Sequence, residues 1–440
     1  MSNSVITPMF QPEIETMSRE EIRALQLAKL KDQVAWTYER VPWYREKMGE
    51  LGVVPGDIQT LEDIRKLPFT DKSVLRDTYP FGLFAIPLDD VVRLHASSGT
   101  TGKPIVVGYN DHDLDIWRDC IARLAQMAGV VPSDRVQMAF GYGMFTGGFG
   151  LHYGLEHLGC MVIPAGSGNT ERHLMMINDY QTTVLIATPS YAMHMCEYGE
   201  KHGFDWENSS LRIGLFGGEP CPPALKEEIE RRMHIICTDN YGLTEVMGPG
   251  VSGECLACRD MQHIAEDHFF WEIVDPKTGE PLPEGVPGEL VLTPLDKQAF
   301  PVLRYRTHDL SYVITEPCAC GRTHARMKKV RTRTDDMLII RGVNVFPSQV
   351  ETVIAKFSEL TMNYMLYVGR EHNTDTFELG VELAEGLAID NISFVEELRG
   401  RIEHALRDML GIGCKVRLLN EGTLPRSEGK AVRVQDTRKL

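Results

Sequence analysis

Residues 211–220 read LRIGLFGGEP, an apolar run of strand length that breaks into two glycines, a glutamate and a proline. Three other stretches repeat that grammar. RVQMAF (135–140), CMVIPAG (160–166) and TVLIATPS (183–190) are each a short β-prone run leading into small residues or proline. Between the runs lie helical patterns, DLDIWRDCIARLAQMAG (113–129) before them and PPALKEEIERRM (222–233) after the last. Runs of four to eight apolar residues bounded by turn formers, alternating with amphipathic helices, predict an α/β domain with a largely parallel sheet over about 90–240. In such a sheet ligands sit beyond the carboxyl ends of the strands, where these small-residue turns fall.

Outward from this centre the texture changes. Ser18 and Glu21 form a capping box ahead of an apolar stripe, predicting a helix over 18–48. From 270 to 315 short strands alternate with Pro/Gly turns, as in FWEIVDPKTGEPLPEGVPGELVLTPL, and predict a β-rich subdomain. DDMLIIRGVNVFPSQVE (335–351) begins a new strand–turn–helix unit, and 377–420 reads strand, helix, strand. A small α+β domain from about 335 to the end is expected.

The bulk numbers bound the function. At 440 residues the chain is too long for one core, so at least two domains are expected. A net charge of -16 argues against non-specific nucleic-acid binding, though a local basic cleft can still hold an anion. No run has the length of a membrane span, and the N-terminus lacks a basic region followed by an apolar one, so a cytoplasmic protein is expected. Ten cysteines in such a chain are expected to be reduced.

SSGTTGKP (97–104) has the donors of an anion-binding loop but is no P-loop, because Gly99 and Gly102 are too close and Pro104 follows Lys103. A kinase or other NTPase of the Walker type is thereby disfavoured. NYGLTE (240–245) follows the strand HIICTD and offers Tyr241 to a base, Thr244 to a phosphate and Glu245 to Mg²⁺. RYRTHDL (304–310) offers Asp309 to ribose hydroxyls, and PRSEGKAVRV (425–434) presents Lys430 on a turn. Taken singly, these read as well as a strand end, an edge strand with a surface ion pair and a solvated lysine. GYGMFTGG (141–148), with Phe140 before it, offers Phe140, Tyr142 and Phe145 to an aromatic ligand, or simply to the core. Cys255, Cys258 and His263 in CLACRDMQH, with Cys318 and Cys320 in CAC, have the composition of a structural zinc site, or are free thiols.

In this order, SSGTTGKP, FGGEP, NYGLTE, RYRTHDL, TRTDDMLIIRG and PRSEGKAVRV resemble the adenylate-forming superfamily of acyl-CoA synthetases over about 90–440. VPWYREK, GYGMFTGG and DDMLIIRGVNVFPSQVE extend the resemblance, to the phenylacetate–CoA ligase family, over nearly the whole chain. The resemblance implies an α/β fold. Its large N-terminal adenylation domain (1–333) has parallel-rich sheets and a β-rich subdomain, and binds ATP and an aryl acid. A small mobile α+β domain (335–440) carries the catalytic lysine.

The same resemblance implies the site. Ser98, Gly99, Thr100, Thr101 and Lys103 would contact the phosphates of ATP. Gly217, Gly218, Glu219 and Pro220 would wall the adenine, with Asn240 beside them and Tyr241 as its platform. Thr244 and Glu245 would meet the α-phosphate and Mg²⁺. Asp309 would hold the ribose, and Arg333 would face the nucleotide. Asp335 would be the hinge, and Lys430 would bridge the acid's carboxylate and the α-phosphate. Cys255, His263, Cys318 and Cys320 would bind zinc, with Cys258 a spare. Expected substrates are an aryl acid, ATP and CoA, and the expected assembly is a homodimer.

Two departures stand out. Thr332 occupies a position where the hinge motif usually has glycine, and Phe140 stands where close phenylacetate ligases have tyrosine. RTHARMKKVRTR (322–333) reads as a docking surface for CoA phosphates or as a solvated basic strand. Three competing readings are a ligase for another aryl acid, an adenylating enzyme that does not use CoA, and a nucleotide-sensing protein with an inactive site. The presence of Lys430, Glu245 and Asp309 disfavours the last.

Overall fold

The computed structural model describes residues 8–97, 104–330, 332–334, 338–341, 343–371, 374–387, 389, 392–425 and 432–438. The N-terminal helix starts where Ser18 accepts the Glu21 N–H and Glu21 returns the bond to the Ser18 backbone. It runs Arg19–Arg40 and is followed by a second helix, Pro42–Glu50, rather than continuing to residue 48. Pro42 is the cause: it has no N–H for the helical ladder and pushes Val41 into extended backbone (φ -110°, ψ 104°).

A hairpin of β1 (Arg93–Ala96) and β2 (Val106–Tyr109) frames the 98–103 stretch. Next comes the alternating region. β3 (Arg135–Met138), β4 (Met161–Ile163), β5 (Val184–Ala187), β6 (Ile213–Phe216) and β7 (Ile236–Leu243) are connected by helices Thr146–Leu158, Thr170–Asp179, Pro189–Lys201 and Pro223–Met233. They pair in parallel in the order β4-β3-β5-β6-β7. β5 and β6 are buried at every position, which is why they read as unbroken apolar runs rather than alternating ones. Helices on both faces remove that surface from water, at roughly 25 cal/mol per Å².

β7 is longer than its neighbours, and its second half turns the sheet antiparallel. β8 (Gly248–Cys255) and β9 (Cys258–Ile264) follow it. A separate three-stranded antiparallel sheet contains β10 (Phe269–Val274), β11 (Gly288–Pro294) and β12 (Tyr305–Ser311). The short β13 (Val313–Ile314) and β14 (Arg326–Lys328) then complete a nine-stranded sheet beyond β9. The 270–315 region is thus β-rich, as its turns predict. Gly150, in helix Thr146–Leu158, sits so close to Trp117 of helix Asp111–Met127 that an added Cβ would lie 2.2 Å from the indole. That glycine is committed to helix packing and not to a ligand.

The C-terminal segment has a hydrophobic cluster of its own, with Leu366, Val368, Phe377, Leu379, Leu398, Ile402 and Leu406 among its members. After the hairpin β15 (Leu338–Ile340) and β16 (Val343–Val345) and helix Pro347–Ile354, β17 (Leu360–Glu371) and β18 (Thr374–Leu383) pair antiparallel. β19 (Lys415–Leu419) and β20 (Val434–Asp436) flank them in the order β19-β18-β17-β20. Helix Ile392–Leu410 buries Leu398, Ile402, Leu406 and Leu410, one residue per turn.

Candidate active site

Parallel pairing carries the ends of β3, β5, β6 and β7 to one edge of the sheet, and the expected site residues gather there. After β6 the chain turns through Gly217 and Gly218. Gly218 has φ +82°, a conformation costly for any residue with a Cβ. The Glu219 carboxylate accepts the Ser190 N–H at 2.7 Å. The Asn240 amide donates to the Phe216 carbonyl at 2.6 Å and closes this turn against β7. Tyr241 donates its hydroxyl to Asp309 Oδ2 at 2.5 Å. Arg333 donates Nη1 to Asp309 Oδ1 at 2.7 Å and Nη2 to the Thr307 carbonyl at 3.1 Å. Three stretches, 92 residues apart at the extremes of Tyr241 and Arg333, thus meet on one buried carboxylate. Burial first, then the Asp309 charge, holds the Tyr241 phenol well above its usual range, so it remains a donor.

Thr244 and Glu245 follow β7 and are buried. The Thr244 hydroxyl lies 3.1 Å from that of Thr146, at the start of helix Thr146–Leu158. The Glu245 carboxylate has no cation or hydrogen-bond donor among the described residues. A buried carboxylate in that condition suits a divalent cation. A cavity of about 390 Å³ beside it is lined by Phe140, Phe145, Thr146, Gly218, Asn240 and Thr244, among others. The Phe140 and Phe145 rings are tilted at 59°, with centroids 6.5 Å apart. Tyr142 lies outside that lining; its hydroxyl is 3.0 Å from His152 Nδ1 and its ring packs edge-on against Phe149. Ser98, Gly99, Thr100, Thr101, Lys103, Asp335 and Lys430 lie outside the described residues. The loop's entry is described: Ser97 N–H bonds the Ile105 carbonyl at 3.0 Å, and Ala96 N–H bonds the Met144 carbonyl at 2.8 Å. The second of these ties the loop to the segment that carries Phe145.

A larger cleft, about 1250 Å³, opens between this edge and the C-terminal segment. Glu219, Pro220 and Arg333 line one side; Ser348, Glu351, Tyr364 and Arg433 line the other. Burial raises the Glu351 carboxyl above its ordinary value, and the Tyr364 hydroxyl donates to it at 2.8 Å.

Two residues were not singled out by sequence. Thr146 stands inside the quoted GYGMFTGG, and Tyr305 inside RYRTHDL. The Tyr305 hydroxyl is fully buried with no partner among the described residues, and its electrostatic neighbours are Glu245, Arg333, Tyr241 and Asp309. Among the described residues of the basic run 322–333, three cations face inward to acids. Arg322 pairs with Glu15 at 2.5 Å, Lys329 with Glu254 and Arg333 with Asp309. These cations are consumed by internal acids because β14 and its flanks are built into the large sheet.

Away from this edge, Cys255, His263, Cys318 and Cys320 are all buried, with their ligand atoms within 4.8 Å of one another. Cys255 Sγ and Cys318 Sγ are 3.7 Å apart, and Cys320 Sγ is 3.4 Å from His263 Nε2. A tetrahedral zinc with ordinary bond lengths has edges of about 3.8 Å between sulfurs and about 3.5 Å between sulfur and nitrogen. His263 Nδ1 lies 3.0 Å from the His324 carbonyl, which fixes the ring with Nε2 toward the sulfurs. Cys258 is not one of these four, though its side chain bonds that of Cys318 and lies 3.2 Å from Arg326 Nη1.

The family model for AMP-binding enzymes matches residues 46–293, and that for the AMP-binding enzyme C-terminal domain matches 342–438. A phenylacetate-coenzyme A ligase of Thermus thermophilus is 49% identical over 98% of this chain and 100% of its own length. One of Escherichia coli is 48% identical over 97% of each. The chain belongs to the phenylacetate–coenzyme A ligase family. Among solved structures, 2-hydroxyisobutyryl-CoA ligase in a postadenylation state matches with a TM-score of 0.91 at 26% identity, covering 100% of this chain and 95% of that one. The same ligase with CoA in its thioesterification state matches with a TM-score of 0.73 at 27% identity over the same shares. The chain is accordingly an AMP-forming acid–CoA ligase with the adenylate-forming fold, and its substrates include ATP and CoA.

Proposed function

We propose that the protein is a phenylacetate–coenzyme A ligase. It converts phenylacetate, ATP and CoA into phenylacetyl-CoA, AMP and diphosphate through an acyl-adenylate. The observation that carries this reading is the juxtaposition of two chemistries at one sheet edge. An aromatic cavity at Phe140 and Phe145 shares Gly218, Asn240 and Thr244 with the turns next to the Tyr241–Asp309–Arg333 cluster. Relatives of 46–49% identity over nearly the whole chain support the same substrate.

A carboxylate is a poor electrophile, and it must meet another anion. Its oxygen attacks the α-phosphorus of ATP, the bond from that phosphorus to the β-phosphate bridge breaks, and diphosphate leaves. Lys430 neutralises the approach of the two anions, and Thr244 donates to the α-phosphate. Ser98, Gly99, Thr100, Thr101 and Lys103 hold the departing phosphates. Gly217, Gly218, Glu219 and Pro220 wall the adenine beside Asn240 and Tyr241, while Asp309 holds the ribose and Arg333 faces the nucleotide. Tyr305 supplies a further donor inside this cradle. Glu245 is the residue that would hold Mg²⁺, which when bound supplies charge neutralisation. In the second step the CoA sulfur attacks the mixed-anhydride carbonyl, the carbon–oxygen bond to AMP breaks, and the thiol proton leaves to solvent. The region 335–440 turns about Asp335 relative to 1–333 between the steps, withdrawing Lys430 and admitting the thiol.

Cys255, His263, Cys318 and Cys320 would hold a structural zinc, tying the β8–β9 hairpin to the 318–320 turn. A homodimer in the cytoplasm, where ATP and CoA are supplied, completes the proposal. No helix among the described residues is long and apolar enough to cross a membrane. The test is nucleotide analysis of full-length protein with ATP, CoA and a panel of aryl and alkyl acids. CoA-dependent AMP formation, highest with phenylacetate, is expected; ADP formation, or AMP formation indifferent to CoA, would refute the assignment. The panel also reads how Phe140 biases ring substituents, and sedimentation reads the dimer.

A further inference from the structure

Thr332 and Ser348 lie on opposite sides of the hinge position, and their hydroxyl oxygens are 2.9 Å apart. Thr332 is anchored to the N-terminal body. Its carbonyl accepts the Leu310 N–H at 2.9 Å, and the next residue, Arg333, grips Asp309. Its backbone is not among those in the left-handed region, so threonine sits there without strain where glycine would merely be looser. Ser348 is anchored to the other body. It opens helix Pro347–Ile354, whose Val350, Val353 and Ile354 belong to the C-terminal hydrophobic cluster. The hydroxyl pair therefore joins two separately packed cores across the segment that contains Asp335.

We propose that Thr332 and Ser348 are positioning residues: their hydrogen bond latches the C-terminal body in the adenylation orientation and so sets the balance between the two half-reactions. The inference rests on the rotation described under Proposed function. The arrangement of the whole chain is closer to the postadenylation complex (TM-score 0.91) than to the thioesterification complex (TM-score 0.73). A bond of 2.9 Å between these two atoms does not survive a rigid turn about a residue lying between them. In the turned state water replaces each partner, so the latch contributes the net value of one neutral hydrogen bond. That amounts to about a fivefold bias in the equilibrium. Such a bias is small enough to leave turnover intact and large enough to move the ratio of the two steps.

The test compares Thr332→Val, Ser348→Ala, their combination and Thr332→Ser in the full-length protein. Hydrogen–deuterium exchange of peptides covering 219–225 and 346–351, which face each other across the cleft, reads the orientation directly. About fivefold faster exchange is expected in either single variant, no further gain in the double variant, and wild-type exchange in Thr332→Ser. The kinetic arm measures ATP–diphosphate exchange without CoA, and thioester formation from pre-made phenylacetyl-adenylate. The first is expected to fall and the second to rise. Unchanged exchange in the single variants, additive effects in the double, or parallel falls in both half-reactions would overturn the latch. If the wild type failed to activate phenylacetate while the exchange pattern held, the function would be lost and the latch would stand.

Discussion

Asp309 is bonded by both Tyr241 and Arg333, whereas Tyr305 beside it is a buried hydroxyl with no partner among the described residues. A buried unpaired hydroxyl is a cost in the free protein and becomes an asset only when a ligand accepts from it. Tyr305→Phe should therefore leave the melting temperature of the ligand-free protein unchanged or slightly raised. It should also weaken ATP or AMP binding about tenfold, as read by calorimetry. A lowered melting temperature with unchanged affinity would mark the residue as merely structural. The two phenylalanines of the cavity separate in the same way. Phe140 is 6% exposed, so its truncation is expected to cost about 3–5 kcal/mol of stability and to obscure function. Phe145 is 44% exposed and is the cleaner probe. Phe145→Ala should raise the KM for phenylacetate several-fold and leave the KM for ATP within twofold, because a ring contact of this kind is uniform binding.

At the scale of elements, the seam where the parallel sheet turns antiparallel holds a buried charge cluster. Lys226 donates to Glu254 at 2.8 Å, Lys329 pairs with the same carboxylate, and the Asp239 N–H donates to it at 2.6 Å. Both lysines are spent on Glu254, so burial dominates at Asp239 and pushes its carboxyl up to about 7. The folded state therefore holds a proton there that the unfolded chain releases near its ordinary value of 3.8. Stability from this group is full below about pH 4 and is lost as pH rises toward 7. Asp239→Asn should remove that loss. Urea titrations should show the variant gaining about 1 kcal/mol or more on wild type between pH 5 and pH 8, and a constant offset would refute the account. The Cys255, His263, Cys318 and Cys320 cluster is a second such element. The 318–324 turn carries Cys318 and Cys320, and also Arg322, which pairs with Glu15 of the N-terminal segment. Cys318→Ser should lower bound zinc from about one per chain, read by elemental analysis of chelator-free protein. It should also lower the melting temperature by several degrees while sparing adenylation, whose residues lie at another edge.

For the whole molecule the question is which residues serve which orientation. In the mechanism proposed above, Lys430 would be needed only while two anions approach each other. Lys430→Ala should lose a hundredfold or more in adenylation yet still make phenylacetyl-CoA from the pre-made adenylate. Asp335→Pro, by fixing φ at the proposed hinge, should do the reverse, sparing adenylation and slowing thioester formation. Equal losses in both steps for both variants would mean that one fixed arrangement performs the whole reaction.

What the sequence determined alone was whatever depends on neighbours along the chain. Buried strands announce themselves as apolar runs, helix starts as Ser18 with Glu21, and turns as Gly217-Gly218. The short motifs that carry the chemistry are contiguous and so could be read directly. Pro42 was passed over, because the apolar stripe argued for one helix over 18–48, and the structure breaks that helix there. The tertiary structure decided whatever depends on partners distant in sequence. It spent Arg322, Lys329 and Arg333 of the basic run on Glu15, Glu254 and Asp309, which no local pattern foretells. It also gathered Cys255, His263, Cys318 and Cys320 within 4.8 Å of one another, left the Tyr305 hydroxyl with no partner among the described residues, and set Thr332 against Ser348. The physical reason is the same each time. Periodicity and backbone propensity act within a few residues, whereas a charge, a thiol or a hydroxyl acquires its role from whichever group the fold brings within about 3 Å of it.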